Sequence, residues 1–524
     1  MTQLLTAAQM QAVDAAALAQ GIDSYQLMCA AGKAVSDAAM ELMSNRSGSV
    51  LVLAGPGNNG GDGAIAAREL KRNGQEVCLL KFVSRRSAPA ASRHTALLND
   101  AARAFASWDG ITRERLLSES VLDQASLQLI EQADLIIDAL LGAGLSRPLD
   151  GVLASVVERV NAASATVLSV DVPTGLDGNS HTIQGSCIQA DATVTFFRCK
   201  PAHFLYPGRA LCGQLTLAQI GLTEAQLDPG WPACRLNGPD SFSHALPRLS
   251  PQGHKFDRGH VLVRSGPMTS TGASRLSAQT ALACGAGLVT LASPLDALPV
   301  NAAQLTAVML TACDDLPQWH KLLQDSRINV ALAGPGNGVT PETQNCVLAA
   351  LEADLQCVLD ADALSCWSET AQRELLFRSL DAARQTPVLT PHGGEFARLF
   401  SDALAALAPV EFPSRLHQAK AAATVASSVV VFKGADTVIA APDGRSAINA
   451  NAPPWLATAG AGDVLAGVIA SLMAQGMPAF EAACAGVWLH GQAATELGYP
   501  MTAEQLCRRL PAVLHTTSPV NRQD

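Results

Sequence analysis

The chain has 524 residues, 48% of them hydrophobic, which is too long for one core and long enough for two substantial ones. Its 36 basic and 46 acidic residues leave a formal charge of −10, and aromatic residues make up 4%, so the balance excludes a general basic field or a base-stacking surface for nucleic acid. The 13 cysteines are odd in number and contain no Cys-x-x-Cys pair, and no apolar run is long enough to span a bilayer. A reduced, cytoplasmic enzyme without nucleic-acid or membrane partners is the expectation.

Thr6 and Gln9 have the spacing of a capping box, and Leu5 and Met10 that of a hydrophobic staple, so a helix starts here. The apolar run 50–54 then leads through Gly55-Pro56-Gly57 into Asn58-Asn59-Gly60-Gly61-Asp62-Gly63 and a helical stretch at 64–72: strand, turn, helix. Glycines there allow positive φ and close backbone approach, and the helix start offers N–H groups to an anion. Two asparagines and an aspartate bring more oxygens than a phosphate cradle needs, so a cation is expected too. No Gly-Lys-Ser/Thr follows, which excludes a P-loop. Residues 55–60 also fit the dinucleotide spacing Gly-x-Gly-x-x-Gly. The next predicted strand, 76–80, ends at Lys81 where an acidic residue would hold a ribose hydroxyl, so an ordinary NAD site is disfavoured.

Further strands at 135–141, 166–170 and 192–196 alternate with helical stretches, the pattern of a parallel sheet covered on both faces. Asp138 and Asp171 each end an apolar run, which puts both carboxylates on the rim where open parallel sheets bind ligands. Either alone reads equally well as a turn cap; with the glycine turn they read as a site.

Between 221 and 259 the pattern lapses into turn chemistry, which divides the chain into domains 1–225 and 246–524 with a linker at 226–245. A second α/β series follows, with strands at 261–263, 288–291, 330–333, 358–360, 388–390 and 429–432 and helices at 463–473 and 479–496. Leu-Ala-Gly-Pro-Gly-Asn occurs at both 53–58 and 332–337, which predicts two similar strand-to-ligand turns. Gly460-Ala461-Gly462-Asp463 opens an apolar helix. An Asp there is by default a cap, but the small residues before it can aim amides at developing negative charge. Lys433-Gly434-Ala435-Asp436-Thr437 follows a strand and suits a nucleotide phosphate. His392, in a Pro/Gly turn at another strand's end, is a ligand candidate.

The Asn-Asn-Gly-Gly-Asp-Gly turn, the Gly-x-Gly-x-x-Arg-Pro loop at 142–148 and Asp-x-Pro-Thr-Gly at 171–175 resemble the YjeF N-terminal family, the NAD(P)H-hydrate epimerases. The resemblance implies a Rossmann-like parallel-sheet sandwich with potassium at Asn59, Asp138 and Thr174. It implies hydrate contacts from Asn58, Asn59, Gly60, Gly61, Asp62, Gly142, Ala143, Gly144, Leu145, Ser146, Arg147, Pro148 and Asp171. Where the family has Met-Glu-x-Ala-Gly, this chain has Met28-Cys29-Ala30-Ala31-Gly32. Inverting a carbon that bears a hydroxyl beside a ring nitrogen can proceed by ring opening and closing with acid/base help. Asp171, the rim carboxylate not assigned to the cation, is the catalytic candidate.

The second series, over roughly residues 245 to 515, is similar to the YjeF C-terminal family of ribokinase-like NAD(P)H-hydrate dehydratases. That match implies Ala273, Gly336, Gly338, His392 and Asp463 for the hydrate, and Lys433, Gly434, Ala435, Asp436, Thr437 and Gly462 for the adenine nucleotide. Asp463 is the expected general base, with magnesium and the amides of 460–462 meeting the charge of the transferred phosphoryl group. The family implies ADP as co-substrate in bacterial members and ATP in eukaryotic ones. Three departures stand out: Gly393 for a usual proline, Ala461 for Thr or Ser, and the 266–272 loop Gly-Pro-Met-Thr-Ser-Thr-Gly. The expectation is a two-domain α/β enzyme, a homo-oligomer, that epimerises the R and S hydrates and dehydrates the S form with ADP, giving AMP and phosphate. The alternative is a ribokinase-class small-molecule kinase with an N-terminal nucleotide-sensing or protein-binding domain.

Overall fold

The computed structural model describes residues 2–44, 46–84, 99–145, 148–179, 183, 185–248, 250–405 and 414–517. The chain divides into two compact units that meet at Trp231 and Pro232 in sequence. The segment read as a linker is therefore not one. Cys234–Leu236 is a strand of the second unit, paired with Ser446–Ile448, and Pro239–Phe242 is a short helix. Elements of three and four residues between turns carry no periodicity, which is why the stretch reads as linker from sequence alone.

The first unit holds an all-parallel sheet. Named by their first residues, its strands run in the order Ile111, Glu76, Ser49, Leu135, Thr166, Ala192, Gln214. The order reverses between Ser49–Ala54 and Leu135–Ala139, so the loops leaving these two neighbours diverge and open a crevice beyond their carboxyl ends. Inner strands are buried along their length, whereas Ile111–Leu116, an edge strand reading Ile-Thr-Arg-Glu-Arg-Leu, is mostly exposed and shows no apolar run. Glu76–Val83 runs past Lys81, and no acidic residue stands at its end.

The glycine turn differs from expectation. Asn58–Arg72 is a single helix that already includes residues 58–63, and none of Gly55, Gly57, Gly60, Gly61 or Gly63 has positive φ. These glycines serve packing. A Cβ on Gly60 would lie 1.9 Å from the Gly55 carbonyl oxygen, one on Gly61 2.7 Å from the Met28 sulfur, and one on Gly63 2.5 Å from the Ala139 Cβ. The helix start is thereby drawn onto the strand ends. At the N-terminus of the unit, Thr6 and Gln9 form the capping box, and Leu5 and Met10 share an apolar cluster with Val13.

In the second unit the strand order is Cys234, Ser446, Val438, Val429, Val388, Gln356, Val330, His260, Leu288, Met309. It is parallel except where Val438–Ala440 pairs antiparallel with both its neighbours. The reversal lies between His260–Arg264 and Val330–Ala333. Helix Ala461–Ala474 is buried on nearly every side, which its uninterrupted apolar sequence requires, and Gly467 lets it pack against the Ser277 carbonyl. The hexapeptide at 332–337 does not copy the one at 53–58: Gly334 and Gly336 have φ of 122° and 71°, and Asn337 folds back to accept from the Gly334 N–H at 2.8 Å.

Gly60→Ala should therefore destabilise the first unit by about 1–3 kcal/mol, the cost of overpacking without a flexible neighbour to yield. Urea unfolding of the full chain checks this; an unchanged midpoint would mean that helix and strand end separate freely.

Candidate active sites

A cavity of about 800 Å³ opens at the switch point of the first unit. The strand ends give it Gly55, Asn58, Asn59 and Asp62 on one side and Leu140–Leu145 on the other, while Asp171 and Lys200 stand at its floor. Among the sequence-predicted residues, Asn58, Asn59, Asp62, Gly142, Ala143, Gly144, Leu145, Pro148 and Asp171 line it. Gly60 and Gly61 are buried in the helix behind it, and Ser146 and Arg147 lie outside the described residues.

Asp138 is fully buried. Its carboxylate accepts from the Thr174 N–H (2.8 Å), the Thr174 hydroxyl (2.7 Å), the Ser169 hydroxyl (2.9 Å) and the Leu140 N–H (3.3 Å). Burial pushes its pKa up against these bonds, and among the described residues no cationic side chain forms an ion pair with it. Thr174 Oγ1 also accepts from the Leu141 N–H, and the buried Nδ2 of Asn59 has no hydrogen-bond partner. Asp138 and Thr174 are thus joined, with Asn59 across the loop: a Cβ on Gly142 would lie 3.6 Å from Asn59 Oδ1 and 3.7 Å from Asp171 Oδ2.

Asp171 has φ of 67°, a left-handed conformation uncommon for a residue with a side chain. Its carboxylate is in contact with the Lys200 ammonium and accepts from the Thr195 hydroxyl at 2.9 Å. Burial would raise the Asp171 pKa, but Lys200 outweighs it, by charge and by hydrogen bond, and holds the group below the usual range. Asp62 is pushed well above its usual range by burial first, then by the negative Asp171 and Asp14, with Lys200 opposing. His203 is pushed down to about 4 by burial and by Lys200. It accepts from the Lys200 N–H at Nδ1 (3.0 Å), so Nε2 carries the proton toward the Asp171 carbonyl at 2.9 Å.

Lys200, Asp14 and His203 escape the sequence reading. Lys200 follows the strand Ala192–Phe196 at its carboxyl end, a position from which a basic residue reaches the rim, and that was its only signal. Cys29, in place of the family's Glu, neighbours Arg68, whose carboxylate partner is the adjacent Glu69 at 2.9 Å.

In the second unit the helix start carries the chemistry. Gly460 is the N-cap in left-handed conformation, and helix Ala461–Ala474 puts Asp463 in its first turn without a side-chain cap bond. Asp463 is therefore not the cap. The Ala461 N–H is committed to the Thr458 carbonyl (3.3 Å) and the Val464 N–H to Gly460 (3.1 Å), so Ala461 drops out of the expected set, and the N–H groups without an acceptor among the described residues are those of Gly460, Gly462 and Asp463. The Asp463 pKa is pushed up to about 6 by burial, then by Asp360, with Lys433 opposing and Asp362 adding.

Lys433 donates to Asp360 Oδ1 at 2.7 Å and stands 4.0 Å from Glu395 Oε2. A Cβ on Gly462 would lie 3.5 Å from Lys433 Nζ. Asp360, 1% exposed, also accepts from the Thr390 hydroxyl at 2.7 Å. Burial raises the Glu395 pKa against the pull of Lys433. The imidazole of His392 is largely exposed and lies 3.4 Å from Glu395 Oε1. Gly338 donates to Asp362 at 2.8 Å, and Gly336 packs beside Ala273. The structure thus gathers Asp463, Lys433, Gly462, Gly338 and His392 around carboxylates that were read only as strand and turn residues. Ala435, Asp436 and Thr437 form the hairpin beyond, where Thr437 bonds Gly434 and Asp436 faces Arg415 at 3.4 Å.

Two largely parallel-sheet units, with charged groups gathered at the strand-order reversal in the first and beyond the carboxyl ends of Gln356–Leu359, Val388–Leu389 and Val429–Phe432 in the second, define a two-site α/β enzyme. Residues 24–202 match the family model described as YjeF-related protein N-terminus, and residues 261–512 the one described as NAD(P)H-hydrate dehydratase. The bifunctional NAD(P)H-hydrate repair enzyme Nnr of Moorella thermoacetica is 34% identical over 98% of this chain and 96% of its own. That of Thermofilum pendens is 33% identical over 94% and 92%. An ADP/ATP-dependent NAD(P)H-hydrate dehydratase from Bacillus subtilis, co-crystallized with ATP/Mg2+, is 27% identical, with a TM-score of 0.46 over 56% of this chain and 100% of its own. The chain belongs to the bifunctional NAD(P)H-hydrate repair enzymes, with an epimerase part and a dehydratase part.

With Asp463 near 6, dehydration should rise with pH through about 6 and level off above it as the carboxylate forms. Lys433→Met removes the charge that holds this value down and should move the inflection upward; stopped-assay rates from pH 4.5 to 8 test the direction.

Proposed function

We propose that the first unit epimerises the hydrate at the switch-point cavity and that the second dehydrates the S epimer with ADP as phosphoryl donor. The observation that carries the second half is Asp463: a non-capping carboxyl near pKa 6, at a helix start with free amides and beside Lys433. Asp463 takes the proton of the ring hydroxyl as its oxygen attacks the terminal phosphorus of ADP, and AMP leaves. The Gly462 and Asp463 amides meet the charge that develops on the transferred group. The ring-nitrogen lone pair then expels phosphate to leave an iminium ion, and loss of a proton from the neighbouring ring carbon to the departing phosphate restores the dihydronicotinamide. Lys433, held by Asp360, supplies positive charge at the nucleotide, and Gly434 lets its backbone come close.

Among the described residues no group of three or more His, Cys, Asp or Glu is arranged to hold a metal. Magnesium fits all the same, because it binds through substrate phosphates and water with one or two carboxylates, and Asp360 and Glu395 stand beside Lys433. It would neutralise phosphate charge in the transfer step. In the first unit a buried carboxylate bonded to the Thr174 hydroxyl, with Asn59 on the neighbouring helix start, suits a potassium ion held by Asn59, Asp138 and Thr174. Asp171 serves there as the base. All 13 cysteines are free, and among the described residues no helix is long and apolar enough to cross a membrane, which supports a reducing cytoplasmic setting.

Asp463→Asn should cost about 10²–10⁴-fold in dehydration rate, followed by the absorbance of reduced nicotinamide with hydrate, magnesium and ADP. Near-parental turnover would remove Asp463 from the chemistry, and a stable phosphorylated product from the parent enzyme would favour the kinase alternative.

A further inference from the structure

We propose that Asp62 is the general acid of the first site, and that Lys200 is the positioning residue that keeps Asp171 ionised as its partner base. The inference rests on the epimerase reading of that site. Its ground is the distribution of charge in one cavity: Asp14, Asp62 and Asp171 all line it, and the cationic side chain among its described lining residues is Lys200. That ammonium is already committed. It is in contact with Asp171 and donates to the Thr195 hydroxyl at 2.9 Å, while its own backbone N–H is held by His203. Among the described residues Asp62 makes no hydrogen bond and no ion pair, so nothing fixes it in the ionised form. It sits in the first turns of helix Asn58–Arg72, packed by glycines against the strand ends, with its carboxyl toward the cavity.

The titratable groups that face it come from three directions. Asp14 lies on helix Ala7–Ala19, Asp171 and Lys200 at the strand ends, and Asp100 on helix Asp100–Ala106, where it accepts from the Ser24 hydroxyl. Helix Ser24–Leu42 contributes Ser24, Leu27, Met28 and Ala31, none of them a carboxyl or an amine, and Asp150, at the start of helix Gly151–Ala162, also lines the cavity. Burial and the neighbouring carboxylates raise the Asp62 pKa while Lys200 holds that of Asp171 down, so two carboxyls in one cavity are driven to opposite protonation states.

Ring opening needs both. Asp171 takes the proton of the hydroxyl as the carbon–oxygen double bond forms. The carbon–nitrogen bond breaks with its electron pair going to nitrogen, which takes the Asp62 proton. The open aldehyde rotates, nitrogen adds to the other face and returns its proton to Asp62, and the oxygen recovers the proton from Asp171. No oxidant or co-reactant enters, and each carboxyl ends as it began.

The test uses the full chain and a single purified hydrate epimer, following epimer ratio by chiral chromatography from pH 4.5 to 9. In this range the parent profile should fall on the basic side, reporting Asp62, and stay level to pH 4.5, because Asp171 remains ionised there. Asp62→Asn should lower turnover about 10²–10⁴-fold and abolish the basic limb, while dehydration of the S epimer in the same sample confirms intact protein. Lys200→Met should bring an acidic limb into the range, as Asp171 loses the charge that holds it down. Parental turnover in Asp62→Asn, or a parent profile flat to pH 9, overturns the assignment of Asp62 alone. A Lys200→Met profile as level at its acidic end as the parent's overturns the role given to Lys200. A parent that leaves the epimer ratio unchanged overturns the epimerase reading and this inference with it.

Discussion

Each site turns on the same scarcity: one buried ammonium shared among several carboxylates. Lys200 lies among Asp171, Asp62 and Asp14, and Lys433 among Asp360, Glu395 and Asp463. A single cation can fully satisfy one neighbour, and in each unit the geometry selects which. Lys200 touches Asp171, and Lys433 bonds Asp360 at 2.7 Å. The remaining carboxyls stay desolvated, feel one another's charge and hold their protons more tightly. Proton affinity is thus divided between side chains of one chemical type, which is what acid/base work near neutral pH requires.

That division depends on backbone placement. Strand-order reversal opens the crevice of the first unit, and in both units small residues bring chain segments together at the strand ends. Gly60 and Gly63 seat a helix start on the ends of Ser49–Ala54 and Leu135–Ala139, and a Cβ on Gly266 would lie 1.6 Å from the Gly336 carbonyl oxygen. The carboxylates are positioned by strand ends, as Asp171 and Asp360 are, and by helices, as Asp14, Asp62, Glu395 and Asp463 are, rather than by long loops.

Much of this was legible in the chain itself. Inner strands such as Thr166–Val170 and Val429–Phe432 are short apolar runs with turn signals on either side, and they were read to the residue. Edge strands were not: Ile111–Leu116 and Met309–Ala312 need only one partner and little burial, so composition does not mark them. Motif residues with unusual backbone needs, Asp171-Val172-Pro173-Thr174 and Gly460-Ala461-Gly462-Asp463, announced the sites. Lys200, Asp360 and Glu395 did not, because a charged residue after a strand is ordinary and its meaning lies in which distant carboxylate or ammonium it meets. The repeated Leu-Ala-Gly-Pro-Gly-Asn makes the limit plain. Identical six-residue segments open a helix in one place and fold into a positive-φ turn in the other, because the partner is the Leu140 carbonyl in the first and Asp360 in the second.

The left-handed backbone of Asp171 sorts its possible replacements in an unfamiliar way. Ranked by charge, glutamate is its nearest substitute; ranked by the φ of 67° it must adopt, asparagine and glycine are nearer, since short polar side chains and the absence of one tolerate that region best. Lineages drifting at this position would then be expected to pass through asparagine, keeping the fold while silencing the carboxylate. An inactive first unit that still folds lies one base change in a codon away, a short path from catalyst to binding module.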